Sequence, residues 1–442
     1  MNLLQLSPGA GAMFCGNCLR DNALVAALRA LGHQVLMVPL YLPVTLDESD
    51  QSAGTPIFFG GVNVYLEQKS ALFRTAPPWL HNLLSSRRLL DFAAGRAMRT
   101  RASGLGELTQ SMLRGELGNQ VRELDELIAW LKTQPRPDQI FLSNALLLGM
   151  ARRLRAELGV PVVCMLQGEH SLLDSLPKTE REQCWQIMSE RAAEVDLLVA
   201  PSRYFADLMQ RRLGVPPARM RVVHNGINLS GYCPDPPARS DPPRPAREDP
   251  APVHGSRPPD LGFFARMCRE KGLDTLVEAY IRIRQRGRVP GLKLRVGGNC
   301  GPMDEEFVKQ LRRRLEAAGL RQDTEFCPNL DRAAKVEFLR SLSVFSVPAL
   351  YGEAFGLYLL EALAAGVPLV QPRSGAFPEL IEATGGGVLC APGDAQALAD
   401  GIESLLLEPA RARALAEAGR RAVFEKFSAD AMARGIVAAV QS

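Results

Sequence analysis

Short apolar runs alternate with stretches of helical spacing along most of this chain. Leu3 to Leu6 is an apolar run, and the glycine-rich turn PGAGAMFCG follows it, with Gly9, Gly11 and Gly16. The segment LRDNALVAALRALG then carries a helical pattern to a stop at Gly32, and QVLMVPLYL is the next apolar run. Strand, glycine turn, helix and strand make a βαβ unit, which predicts a parallel sheet with a crevice at its strand ends. The alternation resumes at DQIFLSN, a strand, followed by ALLLGMARRLRAELG, a helix, and VPVVCMLQG, a buried strand. A helix through Arg191, the strand VDLLVAPS, a helix from Arg203 to Leu213 and the strand MRVVHNG complete this half.

Two stretches break the rhythm. Over residues 70–133 the pattern turns basic and amphipathic, with Arg74, Arg87, Arg88, Arg96, Arg99 and Arg101 interleaved with Trp79, Leu83, Leu84 and Phe92, and a longer helix is predicted from about Glu116 to Lys132. Such a stretch could form a solvated face over a packed apolar one, bind an acidic acceptor or lie on anionic lipid; the solvated face is the default. Residues 233–260 are dominated by proline and charge, which predicts an exposed linker. Beyond them the βα rhythm restarts: LGFFARM, a helix from Leu273 to Arg286, LKLRVGG, a helix through Ala318, then the strands SVFSVPA, VPLVQP and GGVLCA, and a helical tail from Pro409 to Val440. The division expected is an N-terminal domain over 1–232 with a basic helical insertion at about 70–133, a linker at 233–260, a second domain over 261–415, and a C-terminal helix in 416–442 crossing back to the first domain. The fold class is α/β: two doubly wound, Rossmann-like domains facing across a cleft.

Composition narrows the function classes. With 46% hydrophobic and 23% charged residues in 442, neither a disordered chain nor a coiled coil fits. A net charge of +4 does not suggest a nucleic-acid binder. Nine scattered cysteines suit a reducing compartment. The start MNLLQLSPGAG lacks the pattern of a signal peptide, and no apolar run is long enough to span a bilayer, so the expected location is cytoplasmic. The Ala-, Leu- and Arg-rich composition points to a bacterial source.

Three segments carry candidate chemistry. In YGEAFGLYLLEALAAGVPLVQP, Phe355, Gly356 and Leu357 should open a helix ending near Gly366, with free N–H groups facing phosphate or sugar oxygens. Glu353 would sit at the cleft mouth and Glu361 about two turns along the helix. A carboxylate accepts well from the vicinal hydroxyls of a ribose or a hexose. In FFARMCREKGLDTLVEA, Arg266 follows a strand and Lys271 precedes a helix, a pair suited to a diphosphate. Alone, two glutamates read as an ordinary surface helix and two cations as a solvated basic turn. The N-terminal glycine loop departs from the G-x-G-x-x-G dinucleotide fingerprint, so a nicotinamide oxidoreductase rests on little. Cys15 and Cys18 have no second pair and no histidine cluster beside them, and two ordinary thiols are favoured over zinc or redox chemistry.

Taken together, Arg266 with Lys271, then Glu353 and Glu361 within EAFGLYLLEALAAGVPLV, preceded by VVHNGIN and followed by SGAFPELI and GGGVLCAPGD, resemble the retaining glycosyltransferases of family 4. The resemblance is close over the C-terminal half and looser over the N-terminal half. It implies a GT-B fold whose second domain binds a nucleoside diphosphate sugar and whose first binds a hydroxyl acceptor. Arg266 and Lys271 would hold the diphosphate and, with Glu353, form the catalytic set. Glu353 would contact the sugar hydroxyls, Phe355, Gly356 and Leu357 would give backbone donors, Glu361 would hold the ribose, and Gly11 would lie under the diphosphate. Many members carry a histidine where Gln167 stands, so either Gln167 or His170 would meet the sugar, with a capping or surface role as the plain alternative for His170. The expected reaction moves a hexosyl group to a hydroxyl with no metal and no cofactor, and no D-x-D motif is present. Rival readings are another GT-B sugar-nucleotide enzyme, either an epimerase or a glucan-synthase-like polymerase, and a non-catalytic nucleotide-sugar-binding protein.

Overall fold

The computed structural model describes residues 1–9, 16–43, 46–59, 102–232 and 258–441. Gly11, Cys15, the arginines from Arg74 to Arg101 and most of the proline-rich linker therefore lie outside the described residues. The chain divides into two compact units: Met1–Gly226 together with Ala429–Ser442, and Ile227–Ser428.

Six parallel strands form the first unit's sheet: β1 (Asn2–Ser7), β2 (Gln34–Pro39), β3 (Gln139–Leu142), β4 (Val162–Met165), β5 (Leu197–Ala200) and β6 (Met220–Val222), in the order β2-β1-β3-β4-β5-β6. Leu3 pairs with Val35 on one side and with Gln139 on the other. β4 is buried along its whole length and reads as a continuous apolar run because helices cover both faces of a parallel sheet. The helix Gly16–Ala30 packs Leu24, Val25 and Leu28 on this sheet, and the final helix Ala429–Gln441 adds Met432, Ala433 and Ile436 to the same core.

Beneath the strand ends lies a buried ion pair. Arg20 and Asp21 stand 3.0 Å apart, with side chains 1% and 0% exposed. Ser7 donates to Asp21 at 2.7 Å, and Arg20 donates to the Ser143 carbonyl at 2.8 Å and to the Met165 sulfur at 3.1 Å. Burial pushes the Asp21 carboxyl up against the opposing pull of Arg20. The pair ties together β1, β3 and β4.

The second unit repeats the plan with β7 (Asp260–Phe264), β8 (Lys293–Gly298), β9 (Thr324–Pro328), β10 (Val344–Phe345), β11 (Leu369–Pro372) and β12 (Gly387–Cys390), in the order β12-β11-β10-β7-β8-β9, all parallel. Phe263, Tyr280, Val296, Phe345 and Phe377 lie in its core. Its helices start on side-chain caps where the sequence offers them: Asp331 accepts from the Ala334 N–H and Asp394 from those of Gln396 and Ala397. Both sheets match the Rossmann-like expectation.

Several expected elements differ in detail. The helix expected over ALLLGMARRLRAELG begins as a 3₁₀ turn, Ala145–Met150, before Ala151–Leu158. The helix through Arg191 is two helices, Glu169–Ser175 and Lys178–Ala192, because Pro177 cannot continue the first. The helix expected from Glu116 to Lys132 begins as the 3₁₀ turn Gly115–Leu117, halts at Gly118, and runs as Val121–Leu131. The helical tail breaks at Phe427 and Ser428, so Pro409–Lys426 stays with the second unit. The unit boundary falls after Gly226, six residues before the division expected at 232. β9 was not anticipated: it is an edge strand with no fully buried residue, so TEFCP lacks an apolar run.

Candidate functional site

The second unit gathers its charged candidates at the carboxyl ends of β7 and β10. After β7 the chain turns through Arg266, whose neighbour Met267 donates its N–H to the Asn299 carbonyl at 2.8 Å. The 3₁₀ turn Arg269–Lys271 ends on Gly272, whose φ of 72° admits glycine alone, and a Cβ there would run into the Pro348 carbonyl. The helix Leu273–Arg286 follows at once. Lys271 is thereby fixed at the junction of turn and helix, pointing at the loop that follows β10.

That loop carries Glu353. A Cβ on Gly375, at φ 60°, would collide with the Glu353 backbone, and Ala376 donates its N–H to the Glu353 carbonyl at 2.9 Å. Three donors converge on Glu353 Oε2: the Lys271 ammonium, the Tyr351 hydroxyl at 3.0 Å and the Tyr358 hydroxyl at 2.9 Å. Lys271 Nζ also donates to Tyr351 Oη at 2.6 Å, and it lies 5.1 and 5.2 Å from the Tyr351 and Tyr358 ring centres. Burial opposes both charges of the pair. It is outweighed in each case by the partner: Glu353 holds the Lys271 ammonium above its ordinary range, and Lys271 holds the Glu353 carboxyl below the usual carboxylate range. Burial, and then the Glu353 charge, push the Tyr358 phenol well up, so it stays a hydrogen-bond donor. Cys268, inside the same turn, is pushed by burial to about 11 and is a neutral thiol.

Arg266 and Glu361 each have a counter-ion of their own. Arg266 is half exposed and grips Asp304 with two bonds, Nε to Oδ2 at 2.8 Å and Nη2 to Oδ1 at 3.1 Å. Those bonds raise its affinity for the proton further, so it stays a cation at any working pH. Glu361 accepts from Lys335 Nζ at 2.7 Å, an ion pair with side chains 16% and 6% exposed. The helix Leu357–Ala364 opens on Gly356 at φ 99°, with Phe355 buried behind it. The helix begins at Leu357, so Glu353 belongs to the loop before it and Glu361 lies in the helix's second turn.

In the first unit the candidates are held by neutral groups and backbone. Gln167 and Asn225 exchange amide bonds at 3.2 and 3.4 Å. Glu169 is buried and accepts from the N–H groups of Gln167 at 3.0 Å, Gly168 at 2.9 Å and Ala145 at 2.7 Å. Its negative charge thus folds the turn after β4 onto the end of β3. His170 is 7% exposed and packs against Phe205 at 5.1 Å between ring centres, so it is not a surface residue.

The structure brings Lys271 and Glu353 together, and sets Arg266 and Glu361 each against an unforeseen partner. Tyr351 and Tyr358 lie within the motif itself and were legible as phenols near a charge. In the second unit Asp304 and Lys335 reach Arg266 and Glu361 from other elements, in the first Glu169 and Asn225 hold Gln167, and nothing in their local sequence marks them. Among the described residues no group of three or more His, Cys, Asp and Glu could hold a metal ion, and no helix is long and apolar enough to cross a membrane. Cys18 is a buried thiol.

Two family models divide the chain between them. Residues 22–226 match the glycosyl transferase 4-like domain, and residues 247–422 match the glycosyl transferases group 1. The chain is 28% identical over 296 residues to glycogen synthase of Mycobacterium tuberculosis, a match covering 66% of each chain. It is 29% identical over 233 residues to the GDP-mannose-dependent alpha-(1-6)-phosphatidylinositol monomannoside mannosyltransferase of Mycolicibacterium smegmatis, covering 51% of this chain and 57% of that one. The matches thus span slightly over half to just under two thirds of these relatives' lengths. In fold the chain is similar to sucrose-phosphate synthase from Thermosynechococcus elongatus, with a TM-score of 0.71 at 20% identity over 100% of this chain and 98% of the other.

Proposed function

The chain belongs to the GT-B glycosyltransferases of the family 4 type, and from that premise we propose that it transfers a hexosyl group from a nucleoside diphosphate sugar to a hydroxyl acceptor, with retention and without a metal. The observation that carries the reading is the convergence of Lys271, Tyr351 and Tyr358 on Glu353 beside the start of the helix Leu357–Ala364.

The chemistry follows from where charge develops. Breaking the bond between the anomeric carbon and the diphosphate oxygen leaves negative charge on the phosphate and positive character on the sugar. Two fixed cations, Lys271 and Arg266, would take up the phosphate charge, and the free N–H groups at the start of the helix add to them. Lys271 is held charged by its surroundings, so no proton need move for it to act. Glu353 suits hydroxyl binding better than attack, since three donors already draw on one of its oxygens. Glu361, fixed by Lys335, would receive the ribose hydroxyls. The acceptor hydroxyl supplies the new glycosidic oxygen and passes its proton to the diphosphate oxygen that departs with the nucleotide. With Lys271 and Arg266 neutralising the leaving group, turnover should persist in a chelator.

Thermal unfolding with UDP-, GDP-, ADP- and TDP-sugars, with and without EDTA, tests the reading on the wild type and on Glu361→Ala. A ligand at about 100 times its dissociation constant stabilises by roughly 2.7 kcal/mol. One nucleotide class should stabilise the wild type and not the variant. If no member of the panel does so, the donor site is wrongly assigned.

A further inference from the structure

Lys335 sits on the helix Arg332–Arg340, apart from every motif described above, and reaches across to the helix Leu357–Ala364. Its residue exposure is 4%, and its Nζ donates to Glu361 Oε1 at 2.7 Å. A buried lysine is uncommon, and a buried ion pair is on balance worth little more to stability than apolar side chains of the same volume. Val336, Phe338 and Leu339 on the same helix are buried apolar residues, so the surroundings would accept a methionine or leucine at 335. Packing therefore does not account for the charge.

What the ammonium does is act on Glu361. A carboxylate has two oxygens and about four acceptor positions. Left alone it would turn freely about its last bonds, and a ligand would have to freeze that freedom on binding. The bond from Lys335 to Oε1 holds the carboxylate in one orientation in advance.

We propose that Lys335 is a positioning residue that sets the preference of the site for a ribose over a 2′-deoxyribose by holding the Glu361 carboxylate in one orientation. The inference rests on the donor reading above, in which Glu361 receives the sugar hydroxyls of the nucleotide. A carboxylate held in place gains a charge-assisted hydrogen bond from each hydroxyl it meets, and a ligand lacking the 2′-hydroxyl forfeits one of them. A carboxylate that is loose distinguishes the two sugars poorly.

The test is calorimetric titration of the full chain with UDP, GDP and ADP and with their 2′-deoxy counterparts, on the wild type, Lys335→Met and Lys335→Gln. The wild type should bind one ribonucleotide about tenfold or more tightly than its deoxy counterpart. Lys335→Met should lower that ratio to about threefold or less, weakening the ribonucleotide far more than the deoxynucleotide. Lys335→Gln, which keeps a neutral donor near Oε1, should fall between the two, and it carries the test alone if the methionine variant does not fold. An unchanged ratio in the variants, or equal weakening of both ligands, would show that Lys335 serves only the packing of two helices. A wild type that binds a nucleotide without a ribose preference overturns this proposal and leaves the donor reading standing. A wild type that binds none of the six removes the donor reading and this inference with it.

Discussion

The two units share a sheet plan and treat charge in opposite ways. In the second, Lys271 with Glu353, Arg266 with Asp304 and Lys335 with Glu361 all stand near the strand ends, and each is at least partly open to a ligand. In the first, the pair of Arg20 and Asp21 is sealed inside, below β1, β3 and β4, and the groups above are the Gln167–Asn225 amides and a carboxylate, Glu169, taken up by backbone N–H groups. The difference separates two uses of an ion pair. One pair braces strands and is spent entirely within the fold. The others hold ionised groups in readiness for something that arrives.

That contrast is open to direct attack. Arg20→Met leaves the Asp21 carboxylate buried without its cation, and removing one member of such a pair costs about 3–5 kcal/mol. Chemical denaturation should show the first unit losing that amount, whereas a loss under about 1 kcal/mol would mean the pair is not what braces the strands. Next in size, Lys271→Met should lower turnover by about 10²–10³, the effect of removing a fixed transition-state donor, and should cost less stability than Arg20→Met because Tyr351 and Tyr358 still donate to Glu353. A large fall in stability with turnover intact would reverse the roles assigned to the two pairs.

A smaller effect probes the first unit's upper layer. Gln167→Ala, Asn225→Ala and the double variant form a cycle whose stability coupling should be about 1 kcal/mol, the worth of a neutral hydrogen-bonded pair. Zero coupling would make the two amides independent surface groups.

The smallest is a difference in slope with pH. Glu353 has its carboxyl held below the usual value of 4.5, so it contributes stability above that value and loses it as pH falls through its lower folded value. The margin of wild type over Glu353→Gln should therefore shrink on acidification below about pH 4.5. Asp21 has its carboxyl pushed above 3.8, so the folded state binds the proton more tightly, and stability is gained as pH falls through the raised value, complete below 3.8. The margin of wild type over Asp21→Asn should grow over that range. Denaturant midpoints read from neutral to acid pH would show both, and two slopes of the same sign would contradict the contrast.

Legibility followed the same division. Arg266, Lys271, Glu353 and Glu361 could be read because a short motif places them on one turn or one helix, and the alternation of apolar runs marked every strand but β9. β9 escaped because an edge strand is half solvated and carries no apolar run. Asp304 and Lys335 escaped because their meaning lies in a partner on another element, 38 residues away for Arg266 and 26 for Glu361. Glu169 looked like an ordinary first-turn acid, and only the fold shows its side chain turned back to accept three backbone N–H groups. The helix breaks at Pro177 and Ser428 were legible as single residues, yet the strength of the surrounding periodicity hid them.

The second unit starts and finishes at one place. Ile227 and Ser428 form a parallel bridge, and the Ile227 N–H donates to the Phe427 carbonyl at 2.9 Å. On the ribosome this orders events. The segment 227–428 emerges as one uninterrupted stretch and can fold before translation ends. The first unit emerges earlier and has to wait, because the helix that covers Leu24, Val25 and Leu28 is encoded after residue 428. Through that interval the apolar surface that Met432, Ala433 and Ile436 will cover is open to water, so the half that is made first is the half completed last.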